Sequence, residues 1–201
     1  MAFTFFFRDK QTLDLIQEHV IPVIRTRHFM RVWDAGCAMG PEPYSLAIMF
    51  RENMGPFLFR NVKILATDID NSNLFGKIIQ EGIYNSEETG RIPATIFKKY
   101  FSPLENRAEH FIIADEIRNS VEYLGHDLLS FEAPRSGFYL ILCKNVLLHF
   151  KEDDQAGVIE MFHGALEHGG FLAMEQTQKI PEKLVYKFEQ VVSNAQLFRK
   201  L

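Results

Sequence analysis

Apolar residues fall along this chain in two rhythms, short continuous runs and longer stretches spaced at three and four residues. Residues 11–28 carry Leu13, Ile16, Val20 and Ile24 along one helical face, and Pro22 interrupts them, so the segment reads as one helix or two short ones. Residues 31–35 form a short apolar strand. A helix over 42–51 follows, its start marked by Pro41 and Pro43, which are tolerated only near a first turn. Residues 62–67 are a β-prone run, and 71–81 a helix entered from the capping cluster Asp70-Asn71-Ser72. Strand, helix, strand, helix implies a parallel sheet. The stretch 82–119 breaks that rhythm with turn residues at Asn85, Gly90 and Pro93, a short helical patch, and the alternating run HFIIADEIR; it reads as an insertion. Strands at 121–124 and 138–142, a helix over 153–168 and a strand over 171–174 after a Gly169-Gly170 stop resume the pattern. Residues 184–192 and 195–199 supply the last helix and strands. The expected architecture is one α/β domain over 1–201, an open sheet with its ligand chemistry at the carboxyl ends of the strands.

The first strand runs directly into VWDAGCAMGPEPYSLA, and the second closes on acids in KILATDID. A strand, a glycine turn, a helix and a second strand ending in an acid is how a nucleotide-type cofactor is held. Gly36 and Gly40 let the backbone approach a ligand without an intervening Cβ, and Asp68 is placed to accept hydrogen bonds from ribose hydroxyls. Dinucleotide and S-adenosylmethionine sites share this logic, so the pattern alone leaves both open. Asp34 is expected to bond the backbone amides of its own turn. Cys37 is expected to fill the turn as a small residue, and His149, after an apolar strand, reads equally as structural or as a hydrogen-bond donor.

Composition narrows the class. At 201 residues and 47% hydrophobic content the chain can bury a sizeable core. A net charge of -4 and a pI near 6.0 argue against a dedicated nucleic-acid binder, which needs a basic face. Cys37 and Cys143 lie far apart without a C-x-x-C pair, so neither a disulfide framework nor a metal site is expected, and a reducing, cytoplasmic setting fits. The initial MAFTFFF run is short and meets charge at Arg8, Asp9 and Lys10, so no membrane insertion is expected.

Further text separates the cofactors. Thr4-Phe5-Phe6-Phe7-Arg8 is similar to an N-x-T-x-F-F-R segment, Gly40-Pro41-Glu42-Pro43-Tyr44-Ser45 to GEEPYS, and Ala66-Thr67-Asp68-Ile69-Asp70 to ASDID. Gly82-Ile83-Tyr84, Lys99-Tyr100-Phe101, and Cys143-Lys144-Asn145-Val146 with Phe150, the last similar to C-R-N-V-x-I-Y-F, follow in order. On these segments nearly the whole chain resembles the chemotaxis receptor glutamate methyltransferases of the CheR family. The resemblance implies a Rossmann-like class I methyltransferase: an open, mostly parallel seven-stranded sheet flanked by helices, with a small antiparallel β subdomain at 82–119 that docks a receptor tail in some members. It implies S-adenosylmethionine as cofactor, S-adenosylhomocysteine as product, and a protein substrate, a chemoreceptor cytoplasmic domain.

It also implies roles. Thr4 and Arg8 close over the methionine end, Ala35 and Gly36 line the turn, and Glu42 sits near the amino-acid portion. Asp68 takes the ribose, while Asp127, Leu128, Lys144 and Asn145 lie along the adenosine and the reacting centre. Arg8 and His149 are the candidate catalytic residues. A substrate carboxylate is already ionised at neutral pH, so attack on a sulfonium methyl needs alignment and desolvation rather than a general base. Arg8 can grip both carboxylate oxygens with a permanently charged fork.

Several positions depart from the family pattern. Ala2 replaces Asn, Pro41 the first Glu of GEEPYS, Lys144 the Arg, His149 the Tyr, and Met174-Glu175-Gln176 a small, Gly-bearing strand end. The usual N-terminal helical domain is expected to be lacking, since the matches begin at Thr4. Three functions are therefore weighed: an active protein-glutamate methyltransferase, a regulatory module that binds the cofactor or its product without turnover, and a nicotinamide-dependent enzyme, against which EPYS and the Phe-Phe-Arg segment argue.

Overall fold

The computed structural model of the chain describes residues 4–201, so the departure at Ala2 lies outside it. The first helical stretch is α1 (Lys10–Leu15), a π-helical turn (Ile16–Val20) and α2 (Ile21–Ile24), run end to end. Pro22 sits in the first turn of α2, directly after the wider π turn, where the helical bonding changes register and accommodates its ring and missing N–H. The segment is thus one continuous helical run, the first of the two readings offered by periodicity.

The sheet is laid down by β1 (Met30–Ala35), α3 (Pro41–Phe59, broken at Gly55-Pro56), β2 (Val62–Asp68) and α4 (Phe75–Glu81). Helix α4 begins four residues later than the capping cluster suggests. The Asp70 carboxylate reaches forward to the Leu74 and Phe75 amides and also takes the Ser72 and Tyr123 hydroxyls, so Asp70 caps across a turn rather than at its own position.

Next come β3 (Ile83–Asn85), α5 (Ser86–Thr89), α6 (Ala94–Tyr100), β4 (Phe101–Pro103), β5 (His110–Ile113) and α7 (Asp115–Arg118). The three strands make a separate antiparallel sheet in the order β3-β5-β4. HFIIADEIR is strand only as far as Ile113. Its second half turns into α7, which packs on α3 with Glu116 paired to Arg51 at 2.8 Å, because Ile117 is needed in the core there.

The chain closes with β6 (Val121–Gly125), β7 (Phe138–Cys143), α8 (Glu152–Ala165), β8 (Leu166–Met174), a 3₁₀ turn (Glu182–Lys187), β9 (Phe188–Gln190) and β10 (Leu197–Lys200). Helix α8 stops before the expected His168. Gly169-Gly170 does not end the helix but lies inside β8, where the ladder with β7 slips between Phe138 and Leu140. Residues 184–192, read as helix or strand, are a 3₁₀ turn and then a short strand.

The main sheet has seven strands in the order β6-β2-β1-β7-β8-β10-β9, parallel except for β10, which runs antiparallel to both neighbours. This is the open, mostly parallel seven-stranded sheet that the sequence resemblance implied. The order reverses between β1 and β7, so their carboxyl ends open a crevice at the switch point. One core cluster, including Val32, Ile48, Phe50 and Ile64, fills one face of the sheet with α3 and the first helices, and another, around Trp33, Ile141, Ile159 and Phe162, fills the face under α8.

Candidate functional site

A cleft of about 430 Å³ opens at that switch point, lined by Thr4, Arg8, Gly36, Ala38, Glu42, Asp68, Lys144, Asn145, Val146 and His149. Eight of these are residues that the sequence singled out for chemistry, drawn from five separated segments; Ala38 and Val146 are additions.

Its floor is the turn between β1 and α3. The amides of Gly36 and Cys37 both donate to the Thr67 carbonyl at 2.8 and 3.0 Å, and the Ala38 amide donates to the Asp68 carboxylate at 2.9 Å. The turn is therefore tied to the end of β2 by its own main chain. Gly36 has φ +108°, and a Cβ there would stand 2.2 Å from Val146 Cγ2; Gly40, at φ +99°, would meet the Tyr84 hydroxyl and Ile79 at 2.7 Å. Both positions need glycine for conformation and for space. Ala35 lies just behind this surface, fully buried in β1, and is not part of the lining.

Asp34 behaves differently from expectation. It does not bond the amides of its own turn, because β2 has already taken them. Both its carboxyl oxygens are buried with no hydrogen-bond donor among the described residues, and the side chain is 0% exposed. The group it meets is the carboxyl of Glu42, in the first turn of α3, which opens onto the cleft. Burial, followed by the charges of Glu42 and Asp68, holds the Asp34 carboxyl well above the usual range. Burial also lifts Glu42, to about 7, against the opposing pull of Lys144 and Arg8. The Cys37 thiol is buried in the turn, as expected of a small filling residue, and burial beside Asp34 and Asp68 pushes it up and leaves it unreactive.

The rim comes from the two flanks. On one side the arm at residues 4–9 lies across the cleft. Phe6 is its anchor, 1% exposed, with edge contacts to Tyr84 and Phe101 at 5.0 and 5.4 Å between centroids, a burial worth about 2–3 kcal/mol. Phe7 donates its amide to Ser45 Oγ at 2.9 Å, which delivers Thr4 and Arg8 to the lining. On the other side the segment after β7 supplies Asn145, with φ +58°, and His149 at the end of a 3₁₀ turn (Leu147–His149). Phe7 and Ala38 also have left-handed backbones, at φ +56° and +47°. Such non-glycine strain clusters where a structure must aim a group.

Lys144 joins the two flanks. Its side chain is 3% exposed, and its ammonium pairs with Asp9 and donates to Thr12 Oγ1 and the Met174 carbonyl at 3.1 Å each. Asp9 also caps α1 through the Thr12 amide at 3.2 Å. Burial alone would raise the Asp9 carboxyl, but Lys144 and Thr12 outweigh it and hold it low. Lys144 thus ties the arm to the tips of β7 and β8 while also lining the cleft. Glu175, at the departed strand end, accepts the Asn145 amide and so fixes the start of the rim loop.

Two residues expected along the adenosine are not in the lining. The Asp127 side chain accepts the Leu129 amide at 2.9 Å and caps a 3₁₀ turn (Leu128–Ser130), and Leu128 is buried in the core beneath α8. Asp127 is an exposed local cap and Leu128 a core leucine, a division that spacing does not reveal. Among the described residues no group of His, Cys, Asp and Glu is arranged to hold a metal, and no helix is long and apolar enough to cross a membrane.

Comparison with known proteins agrees with the topology. Residues 2–197 match the family model described as CheR methyltransferase, SAM binding domain. A chemotaxis protein methyltransferase of Listeria innocua is 32% identical over 177 residues, covering 87% of this chain and 64% of that protein. The Listeria monocytogenes counterpart is 30% identical over 177 residues with the same coverage, and chemotaxis protein methyltransferase 1 of Pseudomonas aeruginosa is 29% identical over 190 residues, 89% of this chain and 68% of that protein. The chain therefore spans somewhat under two thirds of the length of the Listeria relatives. It belongs to the CheR methyltransferase family and carries that family's S-adenosylmethionine-binding domain.

Proposed function

We propose that this chain binds S-adenosylmethionine and directs its methyl group to the side-chain carboxylate of a protein glutamate, on a chemoreceptor cytoplasmic domain, giving a methyl ester. The observation that carries the reading is the convergence of Arg8, Glu42 and Asp68 on one cleft at the β1/β7 switch point, with the arm laid across it. About 430 Å³ suits a nucleoside joined to an amino acid. The donor set suits it too, since Glu42 supplies acidic oxygens for a cationic amine and Asp68 keeps lone pairs for a diol.

When bound, the cofactor supplies an electrophilic methyl on a sulfonium. The chain's residues hold and align. Asp68 accepts from the ribose hydroxyls while anchoring the Ala38 amide, and Glu42 faces the amino-acid portion. Arg8, exposed at the rim, receives the acceptor carboxylate in its fork, and the arm that carries it excludes water from the reacting side. His149 and Asn145 line the opposite lip, where His149 donates a hydrogen bond toward the acceptor. Thr4 closes the methionine end. No residue needs to remove a proton, because the acceptor attacks as a carboxylate anion and leaves as a neutral ester.

The test is incubation of the chain with methyl-labelled S-adenosylmethionine and a chemoreceptor cytoplasmic domain. Label that appears on the receptor and leaves as methanol in mild base supports the reading. Absence of transfer under conditions where S-adenosylhomocysteine binds would reject the reaction and leave a ligand-binding module.

A further inference from the structure

We infer that the turn at 175–178, after β8, is a brace for the acceptor side of the cleft, with Glu175 and Gln178 as positioning residues that hold Asn145 and His149 in the geometry of transfer. The inference rests on the methyl-transfer reading above and deepens it. Neither Glu175 nor Gln178 lines the cleft, yet both are buried polar side chains, and Glu175 stands at the strand end where the family pattern has a small, Gly-bearing segment. Burying a carboxyl or an amide is costly unless its hydrogen bonds give something back, so the partners of these two show what they hold.

The partners lead to the lip at 144–150, between β7 and α8. Glu175 accepts the Asn145 amide with one carboxyl oxygen, and its other oxygen is buried with no donor among the described residues. Gln178 donates its amide to the Glu175 carbonyl at 3.0 Å, which closes the turn and fixes the two side chains relative to each other. Gln178 Nε2 donates to Gln155 Oε1 at 2.9 Å, and Gln155 Nε2 donates to the Phe150 carbonyl at 3.0 Å. The turn therefore grips the lip at both ends, directly at Asn145 and through Gln155 at Phe150. Lys144 adds a tie to the Met174 carbonyl at 3.1 Å.

Between those ends the lip has little slack. Asn145 holds φ +58°, a left-handed conformation uncommon outside glycine, and the fixed Glu175 oxygen gives its amide a partner in that conformation. Val146 follows with Cγ2 lying where a Cβ on Gly36 would be, so the lip rests on the floor. The His149 amide then donates to the Val146 carbonyl at 3.0 Å and the Phe150 amide to the Leu147 carbonyl at 2.9 Å, so movement at either end is passed to His149. Misplacing a group that aligns reactants by about 1 Å can cost about a hundredfold in rate. The floor is bonded to β2 instead, so loss of the brace falls on the acceptor and spares the cofactor.

The experiment compares the full chain with Glu175→Ala, Glu175→Gln and Gln178→Leu by three measurements: methyl transfer from labelled S-adenosylmethionine to a chemoreceptor cytoplasmic domain, titration with S-adenosylhomocysteine, and amide hydrogen exchange by NMR. Glu175→Ala is expected to lower kcat/KM for the acceptor about tenfold while S-adenosylhomocysteine affinity stays within about twofold. Exchange of the Asn145 amide is expected to quicken about tenfold, and that of the Gly36 amide in the floor to hold. Glu175→Gln, which keeps an oxygen for the Asn145 amide, is expected to recover most of both losses. Gln178→Leu is expected to quicken exchange at His149 and Phe150 more than at Asn145.

Exchange at Asn145 unchanged in Glu175→Ala overturns the brace while the transfer reading stands. So does a Glu175→Gln chain no better than Glu175→Ala. If S-adenosylhomocysteine affinity falls as far as turnover, Glu175 supports the fold at large and its role toward the acceptor is overturned. If the unaltered chain binds S-adenosylhomocysteine and transfers no methyl group, the transfer reading fails and the acceptor role with it, whereas the exchange comparison still decides whether Glu175 holds the lip. Glu175→Asp, which withdraws the oxygen by one methylene, supplies the same comparison if Glu175→Ala does not fold.

Discussion

The floor and the rim of the cleft are built by opposite means. In the floor, three successive amides at 36–38 are all bonded to the end of β2, and the side chains behind them are buried. In the rim, Arg8, Asn145 and His149 are exposed and come from segments outside the sheet, held in place by Phe6 on one side and by Lys144 between the two. The floor is rigid because its backbone polar groups have no alternative partner. The rim is adjustable because its groups are delivered by a few anchors. On the proposed reading, a cofactor common to many enzymes meets the first, and the acceptor meets the second.

The contrast can be broken most severely at Gly36. Gly36→Ala is expected to cost about 3 kcal/mol or more, since the new methyl meets Val146 at 2.2 Å on a backbone with φ +108°. The urea midpoint should fall and S-adenosylhomocysteine binding should be lost. An unchanged midpoint would mean that the floor yields.

At the rim, Arg8→Ala is expected to lower turnover on a carboxylate acceptor about a hundredfold, the worth of a charged hydrogen-bonded contact, while changing the folding free energy by much less. Full turnover in this variant would make Arg8 a structural residue. Steady-state kinetics beside a denaturation curve decides between the two.

Lys144→Met strikes the join between floor and rim. It leaves the Asp9 carboxylate partly buried without its cation, and about 2 kcal/mol of stability should go with it. Protease cleavage within residues 4–9 should quicken, and Asp9→Asn in the same background should restore part of the loss. There is a pH signature too. Asp9 is held low in the folded chain, so the stability it contributes is present above its unfolded pKa and lost as pH falls through the folded value. That acid limb should shrink in Lys144→Met.

The smallest effect is expected at Asp68. Asp68→Ala removes ribose hydrogen bonds and the anchor of the Ala38 amide, for about 1–2 kcal/mol of affinity, measured by titration with S-adenosylhomocysteine. An unchanged affinity would sink the ribose assignment.

How far the chain could be read in advance varies by element. The strands around Val32, Ile64 and Leu140 were legible because they are buried on both faces over most of their length and appear as largely apolar runs. The turn at Gly36 and Gly40 was legible because two glycines between a strand and a Pro-marked helix have few other uses. The second half of HFIIADEIR was not, since Ile117 suits an alternating strand and a short helix equally until α3 is there to receive it. Gly169-Gly170 misled for a related reason: a glycine pair marks a helix stop or a strand irregularity, and only the partner strand β7 distinguishes them. At the site, Thr4, Arg8, Gly36, Glu42, Asp68, Lys144, Asn145 and His149 were named and meet at one cleft. Asp34 was named for the wrong bonds, and its one visible signal was an acid set inside VWDA, where every neighbour is apolar or small.

By itself the sequence determined the alternation of strands and helices, the positions that only glycine can fill, and the set of charged residues available for chemistry, because these follow from local sterics and side-chain periodicity. Only the tertiary structure decided which carboxyl would be left without a donor, that Lys144 would pair with Asp9, and that Leu128 would join the core under α8. Those outcomes depend on which groups compete for the same few donors and acceptors, and that competition exists only once segments more than a hundred residues apart are brought together.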